Sequence, residues 1–306
     1  MSTDSTVSVV IASDFESTEK SWQDERACLT SFKNQDFPEK FEIILAVNEA
    51  FKDKIPPDLC QIAPEVKIYC FPVQRSSELK DLGVQKAIGQ FIAVVEADCI
   101  ASPNWLRCLV QVLENHPDVA IASGRTIYGF ESMLKRSLSL LDRAFMDTGK
   151  LGWVGHVCNN GALYRREILN QFPYPKQDNP FISARVRNQK MVQQGYKFFF
   201  VPEAIMQHAF GGWDFLCDER RNIGHGDVIL YNPNCIPWKR PIVAIKLLLK
   251  RLKNEFGDCT RVGKNYLLWY DWPVAIGLLV ALRFLEIPGM MDAFNGSSKP
   301  RKTSYT

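Results

Sequence analysis

The sequence predicts an α/β protein: a mostly parallel central sheet flanked by helices, with a helical C-terminal extension. Three observations point there. Short runs rich in Val, Ile and Phe recur between residues 7 and 123, at the length of strands buried on both faces. Stretches of helical length separate them, an alternation that builds a parallel sheet covered on both sides. Beyond residue 240 the pattern changes to long helical stretches without strands.

The elements follow in order. Val7 to Ala12 (VSVVIA) is a β-branched run that reads as a buried strand. Ser21 to Lys33 suits a surface helix, Phe41 to Val47 (FEIILAV) a second strand and Val66 to Phe71 a third. Leu79 to Gly89 is expected to be helical, Phe91 to Val95 the fourth strand, Asn104 to Asn115 a helix and Val119 to Ser123 a strand. Further on, a helix is expected over Ser132 to Thr148, a Gly/Asn-rich loop over Gly152 to Gly161, a helix over Phe181 to Gln194 and a strand over Lys197 to Val201. The polar tail Asn295 to Thr306 has the composition of a disordered segment.

Composition sets limits. With 46% hydrophobic and 23% charged residues, the chain belongs with folded globular proteins. A net charge of +3 gives no footing for nucleic acid as a partner. Nine cysteines without a C-x-x-C pair read as reduced thiols in a cytosolic protein. MSTDSTVSVV has no basic segment ahead of an apolar one, so we expect no secretory signal.

Three segments stand out. In PIVAIKLLLKRLKNEF, Ile245, Leu248, Leu249, Leu252 and Phe256 share one helical face and Lys246, Lys250 and Lys253 another. Such a helix suits an anionic membrane surface, or docks on the protein's own core. The apolar run Pro273 to Leu282 follows Tyr266, Trp269, Tyr270 and Trp272. It is shorter than the roughly 20 residues a spanning helix needs, so a monotopic or re-entrant segment is expected.

The other segment is chemical. FIAVVEADCIASPNW places Glu96 and Asp98 at the end of a hydrophobic strand. Carboxylates there are costly unless paired or bound to a metal. The carboxyl ends of parallel strands are where ligands bind, and such a pair suits Mg²⁺ or Mn²⁺ carrying phosphate oxygens. Cys99, beside Asp98, reads as a small apolar residue.

The surroundings of this triplet resemble the inverting family-2 glycosyltransferases. The matching features are VSVVIAS; Ser31, Gln35 and Pro38 ahead of the second strand; Gly83, Ala87 and Gly89 before the fourth; the triplet itself; NNGALYRREIL; and QQGYKFFFVPEAIMQH. They cover residues 7 to 210 in the family's order. The resemblance implies an α/β fold of the nucleotide-diphospho-sugar transferase type, a nucleotide-diphosphate sugar donor and transfer to a saccharide or lipid-linked acceptor with inversion. It also implies a cofactor, Mn²⁺ or Mg²⁺, bridging diphosphate and triplet.

Residue by residue it implies Asp98 as metal ligand, Glu96 at the ribose or metal, and His208 as a third metal contact. Ala12, Ser13 and Asp14 would lie under the nucleotide, with Glu49, Lys80 and Asp81 around it. Asn160, Gly161, His156 and Trp153 would face the acceptor. This chain has Asn48-Glu49 where the family usually has Asp, and Lys80-Asp81 where it has Arg-Asn. The slot for the catalytic base holds Ser183-Ala184, which leaves Asp178 as the nearest acid and the candidate base. Arg220 and Arg221 would clamp a diphosphate or form a solvated helix face.

The expected organisation is a nucleotide-sugar-binding glycosyltransferase domain over 1–235, a helical extension over 236–294 and a tail over 295–306. The expected setting is cytoplasmic, peripheral on the cytosolic face of a membrane. A sugar nucleotidyltransferase and a non-catalytic binding relative stay open as alternatives.

Overall fold

The structure is a computed structural model describing residues 6–13, 21–73, 75–157, 161–175 and 180–297, with 180 and 181 given by backbone alone. The strands are β1 (Val7–Ser13), β2 (Glu42–Asn48), β3 (Val66–Phe71), β4 (Phe91–Glu96), β5 (Cys99–Ala101), β6 (Val119–Ile127), β7 (Gly152–Val154), β8 (Gly161–Arg165) and β9 (Lys197–His208). The helices are α1 (Gln23–Lys33), α2 (Leu59–Ile62), α3 (Ser76–Lys86), α4 (Trp105–Asn115), α5 (Met133–Arg143), α6 (Arg166–Gln171), α7 (Pro180–Gln193), α8 (Gly212–Tyr231), α9 (Arg240–Val262) and α10 (Trp272–Phe294). They fall into two compact units: residues 1–127, 146–174 and 187–209, and residues 128–145, 175–186 and 210–306.

The first unit holds one sheet, in the order β3-β2-β1-β4-β8-β6-β9-β5, with β7 also on β9. The strands β3, β2, β1 and β4 run parallel. Strand β8 runs antiparallel to both β4 and β6, and β6 runs parallel to β9. Every residue of β1 and β2 is buried, which is why these strands read as unbroken apolar runs.

Two glycines of the first unit allow close packing. A Cβ on Gly83 of α3 would meet the Val10 side chain, and one on Gly89 would meet the backbone of β1. Gly89 N–H also donates to Ser8 Oγ at 2.8 Å. That approach explains a difference from the sequence reading. The helix expected to reach Gly89 ends at Lys86, because the chain straightens to lie against β1.

Other boundaries also move. Strand β9 runs on to His208, past Pro202. Its pairing with β6 jumps from Gly124↔Val201 to Arg125↔Ile205, so the proline sits in a bulge where it owes no ladder hydrogen bond. The helix expected to reach Thr148 stops at Arg143. Beyond it Asp147 pairs with Arg125 at 2.7 Å and accepts from Gly149 N–H at 2.6 Å. The region read as a loop from Gly152 opens as β7, held edge-on to β9.

The second unit is helical, and its interior is ionic. Arg251 reaches Asp227 at 2.6 Å and Glu286 at 3.2 Å; Arg283 reaches Glu255 at 2.8 Å and Glu286 at 3.1 Å. Arg220 pairs with Asp142. Arg136 grips Asp271 with two nitrogens, at 2.7 and 2.9 Å. The apolar residues of α9 point the other way: Ile245, Leu249 and Phe256 are each more than half exposed, while the buried side centres on Leu247. The run from Pro273 is not a short segment but the opening of the 23-residue α10. Trp269–Phe294 has the length and composition to cross a bilayer, yet its Arg283 and Glu286 are buried in the ion pairs above.

Helices α8 and α10 cross where both present glycine. A Cβ on Gly224 would run into the Glu286 carbonyl, and one on Gly289 into that of Arg221. We expect Gly289→Ala to destabilise the fold by ~1–3 kcal/mol through overpacking, measured by urea denaturation. Gly257→Ala, on α9 with open space around its Cβ position, should leave stability unchanged or higher.

Candidate functional site

The carboxyl ends of β1, β2 and β4 carry the site. Parallel pairing sets Ala12 beside Glu96 and beside Ala46, and Ala97 N–H donates to the Ala12 carbonyl at 3.0 Å. Glu49 is the first residue after β2, exposed, at the start of a short 3-10 turn capped by the Asn48 side chain. Ser13 is spent differently from expectation: its hydroxyl donates to the buried Glu25 at 2.5 Å.

Glu96 is the centre of charge. Lys80 Nζ, almost wholly buried, donates to its Oε1 at 2.5 Å. His208 Nε2 lies 3.4 Å from Glu96 Oε2 and 3.5 Å from Asp98 Oδ2. Burial works to raise the Glu96 pKa, but Lys80 and His208 outweigh it and hold the carboxyl well below the usual range.

His208 is oriented by its neighbour. Its Nδ1 lies 2.7 Å from the Ala209 carbonyl oxygen. A carbonyl only accepts, so Nδ1 carries the hydrogen, and this bond turns Nε2 toward the two carboxylates. Ligand atoms of Glu96, Asp98, Cys99 and His208 all lie within 4.8 Å of one another, so the donor set fits a divalent cation.

The family-like residues upstream brace this corner. Ser31 Oγ accepts from Ala101 N–H at 3.1 Å. Gln35 donates to the Ser102 carbonyl at 2.8 Å and accepts from Leu106 N–H at 2.9 Å. These bonds fix β5 and the entry to α4, hence the position of the residues just after Asp98.

Beside Lys80 lies a cluster the sequence did not reveal. Asp81 accepts from Tyr174 N–H at 3.0 Å. Arg187, 1% exposed, stands 3.7 Å from the centre of the Tyr174 ring and donates to Tyr164 Oη at 2.7 Å. These residues lie far apart in sequence, and no local pattern links them.

The expected acceptor residues divide. Gly161 opens β8 opposite Val95, one residue before Glu96, and its Cβ position abuts Met206. His156 is held through Nδ1 by Asn188, at 3.0 Å. Trp153 stands apart: it pairs opposite Phe199, the third residue of β9, whereas His208 is the last. Asp14, Asn160 and Asp178 lie outside the described residues. Ser183, in the slot expected for the base, donates to the Pro175 carbonyl at 2.9 Å. Arg220 and Arg221 are neither clamp nor solvated face: the first is buried on Asp142, and the second holds Asp292 at 2.7 Å.

Comparison with known proteins adds four likenesses. The family described as Glycosyl transferase family 2 matches residues 8–172. Glucosyl-dolichyl phosphate glucuronosyltransferase of Haloferax volcanii is 32% identical over 92 residues, 29% of this chain and 29% of that protein, so the match spans less than a third of the relative. Among solved structures, the mannosyltransferase PcManGT from Pyrobaculum calidifontis, in complex with GDP-Man and Mn²⁺, superposes with a TM-score of 0.61 over 94% of this chain and 87% of that one, at 14% identity. GalNAc-T7, solved with UDP, GalNAc and Mn²⁺, gives 0.52 over 82% and 54%, at 15% identity. At these identities the structural likeness is one of fold.

Burial pushes Asp81 up to about 6, against the Tyr174 N–H, Arg187 and Lys80, which pull it down. A carboxyl raised in the folded state binds its proton more tightly there than when unfolded. Its penalty is therefore absent at low pH and appears as pH rises from about 4 through about 6. We expect the stability that Asp81→Asn gains over the parent to be smallest at pH 4 and larger at pH 8, read from denaturation midpoints at both.

Proposed function

Because the chain belongs to glycosyl transferase family 2 and is a glycosyltransferase, we propose that it moves a sugar from a nucleotide-diphosphate donor to an acceptor hydroxyl with inversion, at a membrane surface. The observation that carries the reading is the convergence of Glu96, Asp98 and His208 Nε2 at the carboxyl edge of the sheet. In inversion the acceptor oxygen bonds to the anomeric carbon as the bond to the β-phosphate oxygen breaks, and the acceptor proton passes to a base. Negative charge builds on the departing diphosphate. Glu96, Asp98 and His208 would hold Mn²⁺ or Mg²⁺, which supplies positive charge for that leaving group.

The remaining roles fall to the chain. Lys80 fixes the Glu96 carboxylate through its ion pair. Ala12 and Ser13 form the floor at the end of β1, and the exposed Glu49 reaches toward base or ribose. Gly161, whose Cβ position is closed by Met206, opens β8 opposite Val95 and would contribute backbone to the acceptor side, as would His156. We assign the base to Asp178, since the Ser183 hydroxyl is committed to Pro175 and Ala184 has no titratable group.

Mn²⁺ accompanies both solved structures, and the name of the Haloferax relative contains a dolichyl phosphate. Together they support a metal-dependent transferase acting on a saccharide or lipid-linked acceptor. Helix α9 supports the membrane setting, on the cytosolic face: it exposes Ile242, Ile245, Leu249 and Phe256 alongside the exposed Lys246, Lys250 and Lys253.

A screen of nucleotide-sugar donors, read by nucleotide release, tests the chemistry. EDTA should abolish turnover, Mn²⁺ or Mg²⁺ should restore it, and Asp98→Asn should lower it by about 10²-fold or more with the fold intact. Undiminished turnover in EDTA and in Asp98→Asn would sink the metal site.

A second measurement tests the surface. The protein should sediment with anionic liposomes, release substantially in high salt, and bind less tightly as Leu249→Glu. Failure to sediment at low salt would remove the membrane from this account.

A further inference from the structure

We infer that Cys99 is a fourth ligand of the candidate metal centre, binding as the thiolate and shifting its preference toward softer ions than Mg²⁺ or Mn²⁺. The inference rests on the reading that Glu96, Asp98 and His208 hold a divalent cation. Cys99 pairs directly opposite His208 in the antiparallel β5–β9 ladder. Directly opposed residues on such strands project to the same face of the sheet, so thiol and imidazole share one side. Along β5 the burial alternates, with Cys99 and Ala101 inside and Ile100 outside. Cys99 is wholly buried, and its Sγ lies 3.7 Å from Asp98 Oδ1, so the sulfur is turned to the carboxylate and not into the apolar core alone.

Distance and chemistry agree. Donors bound to one ion at about 2.0–2.3 Å lie up to about 4.5 Å apart. The four donor atoms here lie within 4.8 Å, a spread that rotamer-scale movement closes. Strand β5 is also held at the right place by backbone and side chain together: Ala101 N–H on Ser31, and Ser102 N–H on the Ile205 carbonyl at 2.9 Å. Two carboxylates and an imidazole suit a hard or borderline ion. Adding a thiolate gives an O, O, N, S set, which favours Zn²⁺ and Co²⁺. As the metal–sulfur bond forms, the thiol proton leaves to solvent. A cysteine that merely fills space would have no such preference.

Co²⁺ provides a readout independent of turnover, because a thiolate ligand gives an intense near-ultraviolet charge-transfer band that carboxylates and imidazole lack. The full chain, stripped of metal and titrated with Co²⁺, should show that band, saturating at one equivalent. Cys99→Ser and Cys99→Ala should lose the band yet still bind Co²⁺, seen by calorimetry. Their affinity for Co²⁺ and Zn²⁺ should fall by at least ~10-fold and that for Mn²⁺ by less than ~3-fold. Two cysteine variants, each checked by circular dichroism, guard against a folding defect in one. Stoichiometric Co²⁺ without the band, or a band that survives both substitutions, would overturn the inference and leave the metal site standing. If neither Co²⁺ nor Mn²⁺ binds, and Asp98→Asn behaves as the parent, the metal reading fails and the inference falls with it.

Discussion

Negative charge at the end of a buried strand must be answered by positive charge, and the corner around Glu96 is arranged to supply it. Strand β4 is wholly buried until its last residue. There one carboxylate oxygen takes Lys80 and the other faces His208. Removing one partner of a buried pair costs about 3–5 kcal/mol, because the remaining charge stays buried. Glu96, Asp98, Cys99 and His208 bring their donor atoms within 4.8 Å of one another at the same corner. A cation held there would also gather the phosphate groups that a nucleotide-sugar donor brings.

The helical unit solves a related problem in the opposite sense. Its charges are inside, with Arg220, Arg251 and Arg283 against Asp142, Asp227, Glu255 and Glu286, while isoleucine, leucine and phenylalanine of α9 are outside. Buried ion pairs of this kind add little net stability, but they penalise any packing that separates the partners. A helix whose apolar face is left outward is at no disadvantage beside a lipid headgroup layer, where that face is buried and its lysines meet anionic groups.

Much of this was legible in the sequence because the central strands carry one unambiguous signal. VSVVIAS, EIILAVN and FIAVV are buried on both faces, so no alternation confuses length with direction. Strand β5, three residues long, and β7, hidden in a glycine-rich stretch, have no such signal and were missed. Strand β9 was cut short at Pro202, since a bulge is invisible until its partner is known. At the site, Glu96, Asp98 and His208 could be named from motif order. Cys99 could not, since a lone cysteine reads as a small hydrophobe until pairing sets it opposite a histidine. The Asp81–Tyr174–Arg187 cluster depends on contacts across a hundred residues, which no local pattern encodes. Trp153 shows the reverse error: an exposed tryptophan invites a sugar, but its strand partner sets it near the far end of β9 from His208.

Ala209 touches both halves of this corner without using its side chain. Its N–H donates to the Asp98 carbonyl at 2.9 Å, and its own carbonyl takes the His208 Nδ1 hydrogen. A residue that works through its peptide group escapes the usual means of finding important positions. Exchanging its methyl for another small side chain leaves both bonds in place, so a substitution scan would score the position as tolerant. Its contribution would surface only when the amide itself is altered, as by replacing the N–H with an ester oxygen. The orientation of the histidine is, in that sense, written in the main chain and not in the alphabet of side chains.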